Sequence, residues 1–311
     1  MAFSSGNKST EGAGRKLYKG VGSFFVLGVN PTKAEHEKLF NTTLDKDPEY
    51  LGESENDGKK IQTVRITFIV KADGNKHKDM DGNPIELTTN HTFFLRNEPM
   101  KGSQSGKFQV VDNYGNFAWA DEATIEAGGI PQYSNGPANI HEGYRVAYNG
   151  EQSLTEFLMK YMCIPSSLKW VDGKVVGWVD NLSDCEARLE HISDFFKGNF
   201  TELKNILAMQ PENKVKIAVG VKTSNEGKQF QATYTNMALN NAVSSYGKLD
   251  ADIKARMANA QTPVDFTGDG NKTPIAELSE YVVVASTFEE QPQGDLPFSA
   301  GGSEGGFPFG S

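Results

Sequence analysis

Mainly β structure with a helical insertion is the fold class this sequence predicts, its strands curling into a small antiparallel barrel. Three observations carry that expectation. Alternating apolar segments recur through residues 20 to 150 with one short helix among them. The apolar spacing shifts to a helical period over residues 151 to 210, and alternation returns from Lys214 to Met237. Strands on both sides of a helical section favour one fold with an insertion over two consecutive domains.

The opening MAFSSGNKSTEGAG is small and polar, so residues 1 to 16 read as a flexible arm and order is expected from Leu17. Phe24 to Val29 form an apolar strand, and Asn30 as cap with Pro31 at the first helical position opens a short helix to Phe40. In KKIQTVRITFIVK, Val64, Ile66, Phe68 and Val70 share one face, with Thr63, Arg65, Thr67 and Ile69 on the other. Ile85 to Arg96 is its hairpin partner across the polar HKDMDG tip. KFQVVDNYGNFAW and EGYRVAYNG supply further strands.

Leu154, Phe157, Leu158, Tyr161 and Met162 then fall on one helical face. A second helix opens at Asn181 or Ser183, its apolar side carrying Cys185, Leu189, Ile192, Phe195 and Phe196, and FTELKNILAM gives a third. Lys214 to Thr223 and Lys228 to Met237 form a hairpin, and a weak helix over Lys248 to Ala260 precedes a loose Thr, Pro and Gly segment. Residues 17 to 264 are read as the core and 265 to 311 as an acidic, largely disordered tail, with Tyr281 to Val284 an isolated strand candidate within it.

Charge is segregated. The chain has 31 Lys plus Arg against 40 Asp plus Glu, and from Asp265 onward eight acids face Lys272 alone. Lys59 to Lys107 is locally basic, nine bases to five acids. Cys163 and Cys185 fit buried thiols in a reducing compartment better than a disulfide. The charged start (Lys8, Glu11, Arg15, Lys16) lacks the form of a secretion segment, and no apolar run could span a bilayer, so a cytoplasmic protein without membrane association is expected.

Catalytic and metal motifs are missing. The histidines are scattered, no HExxH or CxxC occurs, the glycines fit no phosphate loop, DMDG lacks the other ligands of a calcium loop, and there is no GxSxG. No catalysis and no cofactor are expected. What does recur is aromatic residues among bases. Unstacked bases lie on aromatic faces while cations meet phosphates, which is what single-stranded nucleic acid requires. The candidate contacts are Arg65, Lys71, Phe93 or Phe94, Arg96, Lys107, Tyr114 and Trp119; adjacent Phe93 and Phe94 face opposite ways in a regular strand.

KLYKGVGSFFVLGVNPTKAEHEKLF, with DPEYLG, KKIQTVRITFIVK and VDNYGNFAWA after it, resembles the single-stranded DNA-binding proteins of tailed phages, the crAss-like group included. The resemblance covers Leu17 to about Tyr148. It implies an OB-like barrel that coats single-stranded DNA during phage replication and recombination. In the tail, Asp295-Leu296-Pro297-Phe298 resembles the apolar tip with which bacterial single-stranded DNA-binding proteins dock replication and repair partners, here internal rather than terminal; Phe307-Pro308-Phe309 is a second such cluster. The competing expectation is a structural or virion-associated module that contacts protein.

Overall fold

The computed structural model describes residues 16–102, 105–113, 115, 117–129, 143–163, 168–171, 174–178, 189–209, 211–225, 229–234, 266, 273 and 276–281. All belong to the unit Met1–Tyr281; the second unit, Val282–Ser311, lies outside them, as does the helix expected over 248–260.

β1 (Leu17–Val29) leads into α1 (Lys33–Phe40). The helix cap is Thr32, not the expected Asn30. Thr32 Oγ1 accepts from Glu35 N while the Glu35 carboxylate accepts from Thr32 N at 2.7 Å, a reciprocal capping box. Asn30 is engaged across the sheet instead, its amide bonding Arg65 O and Thr67 N.

β2 (Leu51–Asn56) pairs with the first half of β3 (Lys59–Ala72), and β3 pairs along Thr63 to Lys71 with β4 (Thr88–Pro99). β5 (Lys107–Val111) and β6 (Phe117–Asp121) form a hairpin ending in α2 (Glu122–Glu126), joined by β7 (Arg145–Val146). β8 (Tyr148–Asn149) precedes α3 (Glu151–Cys163). Gly150, at φ 86°, permits that junction, because a Cβ there would strike Phe94 O.

The helical section also contains a hairpin the periodicity did not disclose, β9 (Leu168–Val171) with β10 (Lys174–Trp178). α4 (Ile192–Phe195), α5 (Thr201–Met209), β11 (Lys214–Thr223), β12 (Gln229–Thr233) and β13 (Ser279–Tyr281) complete the order.

Alternation decides the core. Val64, Ile66, Phe68 and Val70 are buried with Phe24 and Val26 of β1, Phe93 and Leu95 of β4, and Val215, Ile217 and Val219 of β11. Onto this face pack Leu154, Phe157, Leu158 and Tyr161 of α3, Phe195 of α4, and Leu203, Ile206 and Leu207 of α5. Phe157 sits at its centre, 4.7 Å from the Phe68 ring and 5.3 Å from the Phe93 ring. Fully burying such a side chain contributes about 1.5 to 3 kcal/mol.

The expected OB-like curled barrel is not formed. The main sheet follows the open order β12-β11-β1-β3-β4-β8, with β2 added on β3 and β13 on β1. β12 approaches β4 through the Thr233 hydroxyl, which donates to Asn90 O at 3.1 Å, but among the described residues no backbone ladder joins them. The physical reason lies in β5 and β6: these segments, expected as barrel strands, pair with each other and β7 in a separate three-stranded sheet. The fold is mixed α and β, with antiparallel strand pairing.

Part of the stretch read as tail belongs to the body. Phe266 is buried and its carbonyl accepts from Val221 N, and β13 pairs with the start of β1. Gly20, at φ 111°, leaves room for the Glu277 backbone, which a Cβ would block. Lys16 bridges Asp79 at 2.9 Å and Glu280 at 3.3 Å, drawing together the start of β1, the β3–β4 connection and β13. The Asp79 bond first, then Glu280, holds the Lys16 ammonium well above the usual lysine range.

Candidate nucleic-acid interface

The face of the main sheet opposite the core helices carries the chemistry. Along β3 this side carries Thr63, Arg65, Thr67, Ile69 and Lys71, alternating with the core residues; Thr67 and Ile69 are buried, and Lys71 is exposed. Register places Arg65 directly opposite Phe94, Thr63 opposite Arg96, and Lys71 between Thr88 of β4 and Phe25 of β1. Phe94 is 57% exposed, a large aromatic surface on a regular strand.

Arg65 is positioned by its neighbours. Its guanidinium donates to Glu49 O and lies 5.9 Å from the Tyr50 ring centroid. The Tyr50 hydroxyl in turn donates to Pro31 O at 2.7 Å. Burial pushes the Tyr50 phenol upward, against the opposing pull of Arg65, so it remains a neutral donor. Held this way, Arg65 loses less side-chain freedom on meeting a phosphate than an unrestrained arginine would. Among the described residues Arg96 pairs with Glu98 at 3.6 Å, an exposed interaction of about 0 to 1 kcal/mol that a phosphate can replace.

The other expected contacts disperse. Phe93 is 3% exposed in the core against Phe68, His91 and Phe157, so between the adjacent phenylalanines Phe94 is the only surface ring. Lys107 and Trp119 do come together, on the small sheet, where Gln109 is opposite Trp119 and Asp121 opposite Lys107. The Trp119 ring closes on Gly102, at which a Cβ would lie 2.8 Å from it. Asp121 accepts from Thr124 N at 2.7 Å, and the Thr124 bonds hold its carboxyl below the usual range, so an anion faces Lys107. Tyr114 lies outside the described residues, as do Asp295, Leu296, Pro297, Phe298, Phe307, Pro308 and Phe309.

No family model matches the chain, and neither a curated protein nor a solved structure matches it. The site is therefore argued from its own residues.

β11 brings to the same face residues that sequence reasoning passed over. Lys214 is opposite Phe25 and Lys216 opposite Ser23, while Val215, Ile217 and Val219 point to the core. The alternation in KVKIAVGVKT carried this information. Lys214 lies 4.6 Å from the Phe25 centroid and 2.7 Å from Asp73 Oδ2. Burial alone would raise the Asp73 pKa, but the bonds from Lys214 and Asn75 N outweigh it and hold the carboxyl below its usual range. Lys214 thus serves first to neutralise a carboxylate that is 1% exposed.

Among the described residues no group of His, Cys, Asp and Glu is arranged to hold a metal ion, and no helix is long and apolar enough to cross a membrane.

Proposed function

We propose that this chain binds single-stranded DNA with little dependence on base identity, using the Arg65–Phe94 part of the main sheet. The observation that carries the reading is the cross-strand register, an arginine anchored at Tyr50 directly opposite a phenylalanine that is exposed, with Lys71 and Arg96 on the same face. An unstacked base covers Phe94 while the cations meet flanking phosphates. Duplex DNA, whose bases are already stacked, gains only the phosphate contacts. Stacking contributes about 1 to 3 kcal/mol per base and tolerates any base. Phosphate neutralisation makes binding fall with salt.

The role that fits is non-catalytic: coating single strands in phage replication and recombination, within the host cytoplasm, with the Asp295–Phe298 and Phe307–Phe309 clusters docking other replication or recombination proteins. The resemblance of residues 17 to 148 to phage single-stranded DNA-binding proteins supports it independently of fold.

Fluorescence anisotropy with labelled oligonucleotides of about 20 to 40 residues, duplex and RNA competitors and a salt series tests the reading. Saturable binding that prefers single-stranded DNA supports it; no binding at low salt overturns it. A second reading, a protein-interaction module, rests on β2: its residues are all exposed, and among the described residues it pairs with β3 alone. Such an edge can accept another strand, although Glu53 and Glu55 discourage indiscriminate pairing.

A further inference from the structure

We propose that the same DNA strand meets a second stacking station at the far end of this sheet face, formed by Lys222 of β11 and Phe230 of β12. The inference rests on the single-stranded DNA reading above and extends it to a second place on the molecule.

Register establishes the shared face. Phe25 is opposite Lys71 of β3 and opposite Lys214 of β11, which puts the even-numbered residues of β11 on the side of Lys71 and Arg65. The β11–β12 ladder runs without a register shift and sets Lys222 opposite Phe230. This repeats the Arg65–Phe94 arrangement, a cation on one strand beside a phenylalanine on the next. Phe230 is 40% exposed, Lys222 is exposed, and its ammonium lies 5.8 Å from the Tyr234 ring centroid. An exposed ring next to a cation on a sheet edge offers one base a surface and one phosphate a charge.

The two stations are separate. Between them Ile69 and Ala218 are buried, and a Cβ at Gly220 would meet the Phe266 carbonyl and, at 2.7 Å, the Tyr234 hydroxyl. Lys222 lies beyond the Gly20 end of the β1–β11 ladder, whereas Arg65 lies beyond the Val29 end of the β1–β3 ladder. The stretch of β1 from Gly20 to Val29 spans about 30 Å at ~3.3 Å per residue, so a short oligomer occupies one station and a long one reaches both.

The test compares oligothymidylates of about 6 and about 24 nucleotides by anisotropy, with wild type, Phe230→Leu, Phe230→Tyr, Phe94→Leu and the Phe94→Leu/Phe230→Leu double variant. For the long oligomer each Leu variant is expected to weaken binding about fivefold or more, and Phe230→Tyr, which keeps the ring, to hold within about twofold. For the short one each single variant changes affinity about twofold, because the other station remains, and the double variant loses binding. Long-oligomer affinity unchanged by Phe230→Leu but weakened by Phe94→Leu overturns the second station and leaves the DNA reading intact. Equal weakening by Leu and Tyr also overturns it, since stacking does not distinguish the two aromatic rings so sharply. Absence of wild-type binding to either oligomer overturns both.

Discussion

Phe93 and Phe94 are neighbours in the chain with opposite roles, one closing the core and the other lying on the proposed DNA face. Phe94→Ala should lower affinity for single-stranded DNA roughly 5- to 100-fold and leave the urea unfolding midpoint in place. Phe93→Ala should cost about 3 to 5 kcal/mol of stability, read in the same urea titration, without altering the affinity of the protein that remains folded. His77 gives a pH prediction. Its Nε2 accepts from Ser23 N at 2.9 Å, so the ring must be neutral there. Burial first, then Lys216, lowers its pKa, against Glu277 and Asp73. The folded state therefore binds fewer protons than the unfolded one: stability is full above the ordinary value of 6.5 and is lost as pH falls below it. His36, also lowered by burial, acts in the same direction. His77→Gln, which keeps an acceptor for Ser23, should flatten the fall in thermal midpoint between about pH 7 and pH 5; an unchanged slope would remove His77 from the account. The contribution of Asp73, whose folded pKa is depressed, is present above 3.8 and is lost only as pH falls below that value.

Element boundaries show where local sequence and tertiary demand diverge. Asn-Pro before a helical pattern predicts a cap at Asn30, yet Thr32 and Glu35 form the box two residues later. Asn30 is 4% exposed and its side chain satisfies backbone groups of β3, which a reading of residues 30 to 40 alone has no means of finding. Thr32→Ala should cost about 1 kcal/mol in chemical denaturation. Asn30→Ala should cost more, about 1 to 3 kcal/mol, because it strands buried Thr67 N without a partner. The strand pairs were more legible. KKIQTVRITFIVK disclosed both its faces, and the β3–β4 and β11–β12 hairpins follow from alternation around polar turns. β9 and β10 were overlooked because short strands inside a helical stretch carry too few periods to stand out.

At the scale of the whole molecule, the fold extends past the boundary that composition suggested. Phe266, Leu278 and β13 pack on the body, and Glu280 pairs with Lys16, so the beginning of the acidic C-terminal stretch belongs to the body. A chain ending at Val264 should unfold at lower temperature than one ending at Tyr281, since it loses the ladder on β1 and the Phe266 contact with β11. Equal midpoints for the two truncations in a thermal scan would show that these contacts do not stabilise the body.

Sequence by itself determined the periods: which residues of each strand face together, where hairpins turn, that the Lys59 to Lys107 stretch is basic, and that catalytic motifs are missing. These are local properties, fixed by the twofold repeat of a strand and the 3.6-residue repeat of a helix. Tertiary structure alone decided which strands distant in the chain are neighbours. β1 lies between β11 and β3, segments far apart in the chain, and β5 and β6 leave the main sheet for their own. Backbone ladders between distant segments leave no local signature, because every strand offers the same donors and acceptors along its edges. That pairing left the main sheet open, and it brought Lys214, Lys216 and Lys222 onto the face of Arg65 and Phe94.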